Sequence, residues 1–140
     1  MATERQTATR CFSMNWLCPR ALSLAGADKT LLWADGKKLY ETEVVIEPGT
    51  GSISPGKTTV VDEKYASGGN PEHKPNGLMI NLDNWRYNSK SDQRYRKIDG
   101  KWIREKTESR GQWGISKDDH GRILTNTNSN FVTAEVIHPA

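Results

Sequence analysis

"RYRKIDGKWIRE", residues 94–105, decides the fold class. Asp99-Gly100 stands between two runs of alternating side chains, and a two-residue Asp-Gly loop needs positive φ at both central positions, which Gly supplies without strain. The stretch therefore predicts a tight antiparallel hairpin, with strands over 93–98 and 101–105. Just upstream, "GLMINL" and "WRYN" flank Asp83-Asn84, a second turn signal, and add strands over 78–82 and 85–88.

Four short strands in a row make one meander, and a meander alone leaves two raw edges and a half-buried face. Its neighbours emerge from self-similarity. Gly77-Leu78 recurs as Gly114-Ile115, and at the same offset Asn84 falls on Gly121 and Tyr87 on Leu124. A further sheet is thus expected to start at Trp113-Gly114-Ile115, turn at 118–121, continue through 123–126 and end in 131–137. Upstream, "RALSL", "TLLWA", "KKLYETEVVIE" and "KTTVVDE" predict an earlier sheet, with "PGTGSISPG", residues 48–56, as a long turn between its last two strands. No helix longer than about a turn is expected.

Four-stranded sheets repeated at roughly 40 residues are the blade pattern of β-propellers, which normally need 4–8 blades to close. The predicted fold is all-β, a partial β-propeller of about three four-stranded antiparallel blades (20–63, 77–106 and 112–138), the last incomplete. A poorly ordered leader over 1–17 precedes it.

The bulk numbers bound the function. A chain of 140 residues has room for one domain. With Gly counted and Tyr left out, apolar residues reach about 40%, below the roughly 45–50% of an ordinary globular domain, so the core should be thin. A net charge of +3 calls neither for nucleic acid nor for an anionic membrane. No run approaches the 18 apolar residues of a membrane span, and the first ten residues are too polar for a signal peptide. Cys11 and Cys18 fit no zinc pair, Cys-x-x-Cys redox motif or haem attachment, and are read as structural thiols, free or bridged to each other. No Ser/His/Asp order and no phosphate loop stands out, which removes the hydrolase and kinase classes.

The residues over 68–130 carry a resemblance. His73 is followed by Leu78, Asp83, Asn84 and Tyr87. These spacings are similar to the glucose/sorbosone dehydrogenase group of β-propellers. "GGNPEHKPNGLMINLDNWRYNSKSDQRYR" and "RGQWGISKDDHGRILTNTNS" resemble successive blade motifs of its bacterial "membrane-bound dehydrogenase" relatives. Pro75 and Asn76 stand where the sugar dehydrogenases have two glycines, and Arg86 and Thr125 where the relatives have apolar strand residues.

The resemblance implies that the chain is a fragment of a quinone-dependent sugar or alcohol dehydrogenase. Complete relatives oxidise a sugar or other alcohol with pyrroloquinoline quinone, and look extracytoplasmic (periplasmic). It makes His73 the general base, a role that suits an imidazole because its ordinary pKa of roughly 6.5 lies near working pH. Asn76, Arg110 and Trp113 would line the channel and contact the cofactor. Such a site draws on inner loops of several blades, so this chain alone is expected to be inactive. The competing reading of His73 is a loop histidine with no chemistry.

Two other stretches invite chemistry. From Arg86 to Arg110 basic residues interleave with Tyr87, Tyr95 and Trp102, a pattern that can stack single-stranded nucleic acid. In a hairpin the same alternation sends rings inward and charges outward, and that reading excludes nucleic acid. Asp118, Asp119, Asn126 and Asn128 are oxygen ligands of the kind calcium takes, without EF-hand spacing, so no metal is expected. The alternative function, from a different class, is a non-catalytic binding or assembly module that self-associates through exposed blade faces or takes up the missing blades.

Overall fold

The computed structural model describes residues 21–25 and 29–136. The expected leader, with Cys11 and Cys18, lies outside the described residues. Among the described residues, apart from a single 3-10 turn at Pro71–His73, every regular element is a strand.

Three antiparallel sheets follow one another along the chain. The first contains β1 (Ala21–Ala25), β2 (Thr30–Ala34), β3 (Leu39–Ile46) and β4 (Ile53–Asp62). The second contains β5 (Asn76–Ile80), β6 (Arg86–Ser89), β7 (Gln93–Ile98) and β8 (Lys101–Lys106). The third has three strands, β9 (Ile115–Lys117), β10 (Ile123–Thr125) and β11 (Thr133–Glu135). In each sheet spatial order equals chain order, and the first strands lie side by side, β1 against β5 and β5 against β9.

Local chemistry sets the hairpins. Asp99 and Gly100 take φ of 49° and 75°, and the flanking strands pair from Ile98 with Lys101 out to Gln93 with Lys106. Asn84 turns with φ 64°. A carboxylate clamps one hairpin in each sheet. Asp35 Oδ1 accepts from the Lys37 and Lys38 N–H groups while Oδ2 accepts from the Tyr40 hydroxyl. Asp83 accepts from Trp85 N–H and from the Tyr87 hydroxyl at 2.6 Å, and Asp118 from His120 and Arg122 N–H and from Arg122 Nε. Such carboxylate-to-backbone bonds copy a turn's own hydrogen bond and fix it locally.

Strand limits depart from expectation at two places. β4 begins at Ile53, so residues 53–56 belong to the strand and not to a long turn. Pro55 is tolerated because β4 is an edge strand, and a register shift falls between Thr42 and Val44, opposite it. β5 starts at Asn76 and stops at Ile80, because Asn81 turns the chain: its N–H donates to Trp85 O and its O accepts from Asn84 N–H.

The sheets stack face to face. Leu32, Ala34 and Leu39 of the first sheet, with Tyr65 and Ala66 just beyond it, bury against Leu78 and Tyr95 of the second, and Trp102 packs on the edge. Polar ties cross the same seam. Lys97 and Trp102 both donate to Glu41, at 2.8 and 2.9 Å. Tyr95 and Arg104 donate to Asp62, and Tyr65 donates to Asn88. The second seam is smaller: Trp85, Tyr87 and Met79 meet Ile115 and Ile123. Where the first strands crowd, Gly77 (φ 65°) is required, because a Cβ there would stand 3.1 Å from the Ile115 N and 3.2 Å from the Gly114 Cα.

Candidate functional site

His73 ends the 3-10 turn that leads into β5, and only its backbone is held, its N–H donating to Asn70 O at 2.9 Å. The ring is exposed, and no described residue hydrogen-bonds or ion-pairs with it. Catalytic imidazoles are ordinarily oriented by a partner on the far nitrogen, and His73 has none among the described residues.

Asn76 opens β5 and reaches across to the loop before β9. Its Nδ2 donates to Lys74 O and Gln112 O, and its Oδ1 accepts from Gly114 N–H at 2.8 Å. The amide thus holds the backbone on both sides of Trp113. Both ends of that amide are engaged by main chain, which makes Asn76 a clip between the second and third sheets.

Arg110 is buried in the segment joining these sheets. Its Nε and Nη2 form a bidentate pair with Glu135 at 2.7 and 2.9 Å, and Nη1 donates to Thr107 Oγ1 and Glu108 O. The guanidinium also lies 5.1 Å over the Tyr87 ring. Held on both sides, it ties β11 to the linker and has no donor edge directed at an open channel. Trp113 is half exposed, and its Nε1 donates to Asn128 Oδ1.

The structure therefore joins Asn76 to the loop carrying Trp113, places Arg110 in a different set of contacts, and leaves His73 apart. Concavities of about 320, 540 and 660 Å³ lie among the described residues, and none of these is lined by His73, Asn76 or Arg110. A flat, triply acidic quinone such as pyrroloquinoline quinone requires free cationic donors around a slot. The four candidate residues do not fit it, since their one guanidinium is neutralised by Glu135.

The 540 Å³ concavity lies beside the first seam and is lined by Asp62, Tyr65, Lys90, Ser91, Tyr95 and Arg104 among others. Burial would raise the Asp62 carboxyl, but the Lys64 N–H, the Tyr95 hydroxyl and Arg104 outweigh it and hold Asp62 below its ordinary value. Burial first, then the hydrogen bond to Asp62, pushes the Tyr95 hydroxyl far up. The group is a satisfied ion pair that staples β4 to β7 and β8.

A more apolar concavity, of about 320 Å³, is formed by the third sheet and the loops flanking it. Trp113, Ile115, Leu124, Phe131 and Val132 line it. Phe131 is 99% exposed and Val132 66%. At the opposite end of the stack, the outer face of the first sheet carries Trp33 stacked on Tyr40 with ring centroids 4.5 Å apart, beside Thr42, Thr58 and Val60. Its polar atoms are already paired within the face. Trp33 Nε1 donates to Thr42 Oγ1, the Thr42 and Thr58 hydroxyls bond at 2.8 Å, and Tyr40 donates to Asp35.

The basic stretch also has intramolecular partners. Arg94 and Arg96 lie over the Trp85 ring at 4.2 and 4.4 Å, and Arg86 over Trp102 at 4.9 Å. Asp118 is engaged by its own turn and Asn128 by Trp113. No group of three or more His, Cys, Asp or Glu side chains able to hold a metal occurs among the described residues, and no described helix is long and apolar enough to cross a membrane.

Comparison of the chain with models of protein families, with curated proteins and with solved structures finds no match.

Proposed function

We propose that the chain is an arc of three β-propeller blades and acts as a non-catalytic assembly segment, its two terminal sheet faces taking further sheets. Two features support the arc: the meander order of every sheet, and the adjacency of β1, β5 and β9, the positions of innermost blade strands. The assembly role rests on one observation, the hollow around the fully exposed Phe131. An exposed apolar patch of this kind marks an interaction surface. The test is binding of a fluorescent apolar dye. Diluted until it is monomeric, the full chain is expected to bind it, and Phe131→Asp to reduce the signal strongly with the fold unchanged; a monomer that binds no dye removes the reading.

A second reading keeps the dehydrogenase kinship, with His73 as base for oxidation of a sugar or alcohol in an extracytoplasmic setting. It is favoured by the place of the ring, open to solvent in the turn feeding the middle first strand. Sugar-dependent reduction of an artificial electron acceptor in the presence of pyrroloquinoline quinone, lost in His73→Ala, would establish it. Absence of turnover is the expected result.

A further inference from the structure

We infer that the partner of the two terminal faces is a second copy of this chain, bound head to tail. The first sheet of each copy would seat its Trp33–Tyr40 pair in the hollow on the third sheet of the other. The inference rests on the assembly reading above and names its occupant.

Three observations carry it. The two faces are unlike and complementary: one presents a pair of stacked rings, the other a concavity between Trp113, Leu124, Phe131 and Val132. About 150 Å³ suffices for one benzene-sized ring, so a hollow of 320 Å³ matches roughly two. Next, the polar atoms of the rings that would meet are satisfied within their own sheets: the tryptophan N–H groups by Thr42 and Asn128, and the Tyr40 hydroxyl by Asp35, with the Thr42 and Thr58 hydroxyls bonded to each other beside them. Burying the rings therefore strands no ring donor and avoids the desolvation penalty of an unpaired indole N–H or phenol. Finally, sheet-on-sheet stacking through rings and aliphatic side chains is already how this chain joins its own neighbouring sheets.

A face that recognises a different face gives a heterologous contact, which closes a ring when the rotation allows and otherwise grows. Two copies bring six sheets, within the 4–8 that close a propeller. Both copies then use both faces, and the product is a closed dimer with two identical seams.

The experiment is sedimentation equilibrium on the full chain and two surface variants, Phe131→Asp on the third sheet and Val60→Asp beside Tyr40 on the first. Both positions are exposed, and circular dichroism verifies that the variants fold. The full chain is expected at twice its 15.7 kDa mass in the micromolar range. Each variant alone should weaken association by at least about 30-fold, as loss of a central apolar anchor does. Mixed in equal amounts they retain one intact seam between them, so heterodimer should form at concentrations where neither variant pairs with itself. A full chain that stays monomeric at 200 µM, or a dimer indifferent to both substitutions, overturns the inference. So does a mixture that gains nothing, since it would show each face pairing with itself. Monomer that still binds apolar dye through Phe131 sinks the second copy and leaves the assembly reading standing; monomer without dye binding sinks both.

Discussion

Lys97→Met tests how the first two sheets are held together. Glu41 is 8% exposed and accepts from Lys97 Nζ at 2.8 Å and Trp102 Nε1 at 2.9 Å. Burial alone would raise its carboxyl, but the bonds from Lys97 and Trp102 outweigh it and hold the group below its ordinary 4.5. Removing the ammonium leaves a buried charge supported by neutral donors alone, which costs about 3 kcal/mol by the measure of other buried pairs broken on one side. At roughly 4 °C per kcal/mol for a domain of this size, the melting temperature should fall by about 12 °C. Changing Glu41 to Gln in the same chain removes the stranded charge and keeps an acceptor for Trp102, so the double variant should recover at least about half of the loss.

The pH dependence has a defined sign. In the parent, Glu41 titrates low when folded, so its stabilisation is present above about pH 4.5 and is lost as the pH falls through the folded value. In Lys97→Met burial dominates and the folded carboxyl titrates high. Its penalty is full at neutral pH and disappears on acidification. Denaturant titrations of both chains between pH 7 and pH 4 should therefore converge. A gap below about 1 kcal/mol at pH 7, or one that persists unchanged to pH 4, refutes the reasoning that the pair is a desolvated inter-sheet bond.

Three further outcomes follow from single contacts. Asn76→Ala leaves the Gly114 N–H and the Gln112 carbonyl without their partner and should cost about 2 kcal/mol in a chemical denaturation curve. Gly111→Ala places a Cβ 2.8 Å from both Ser89 Oγ and Thr125 Cβ at φ 54° and should destabilise by at least about 2 kcal/mol, whereas Gly100→Ala, with open space at φ 75°, should cost only about 1 kcal/mol. Arg110→Met removes the bidentate bond to Glu135, and amide exchange should accelerate at least about tenfold in β10 and β11 while β2 to β4 keep their protection.

The meander over 93–106 was readable because Asp99-Gly100 has a backbone requirement that one dipeptide meets, and the offset linking Gly77 to Gly114 located the third sheet for the same reason. Pro55 misled: proline ordinarily marks a break, and its tolerance in β4 depends on that strand being an edge, a fact of the whole sheet. The candidate site was harder to read. Asn76 and Arg110 have the chemistry of ligand-binding residues, but their partners, Gln112 and Gly114 for one and Glu135 for the other, lie 25 or more residues away in sequence. No local pattern announces such bonds. The exposed hollow at Phe131 was also invisible, since an isolated Phe-Val reads as core until the sheet beside it is in place. The aspartate clamps left a local trace, an Asp a few residues ahead of Tyr40, Tyr87 or Arg122.

Those clamps bear on how such a molecule changes over time. Because Asp35, Asp83 and Asp118 each secure a bend with groups no more than five positions away, every meander carries the larger part of its own closure. A neighbour adds one bond to the Asp35 bend, Lys74 Nζ to Gly36 O, and one to the Asp118 bend, Asn81 Nδ2 to Gly121 O. A duplicated or excised meander would thus disturb only its seams, and the natural step of enlargement or loss is one whole fold of the fan.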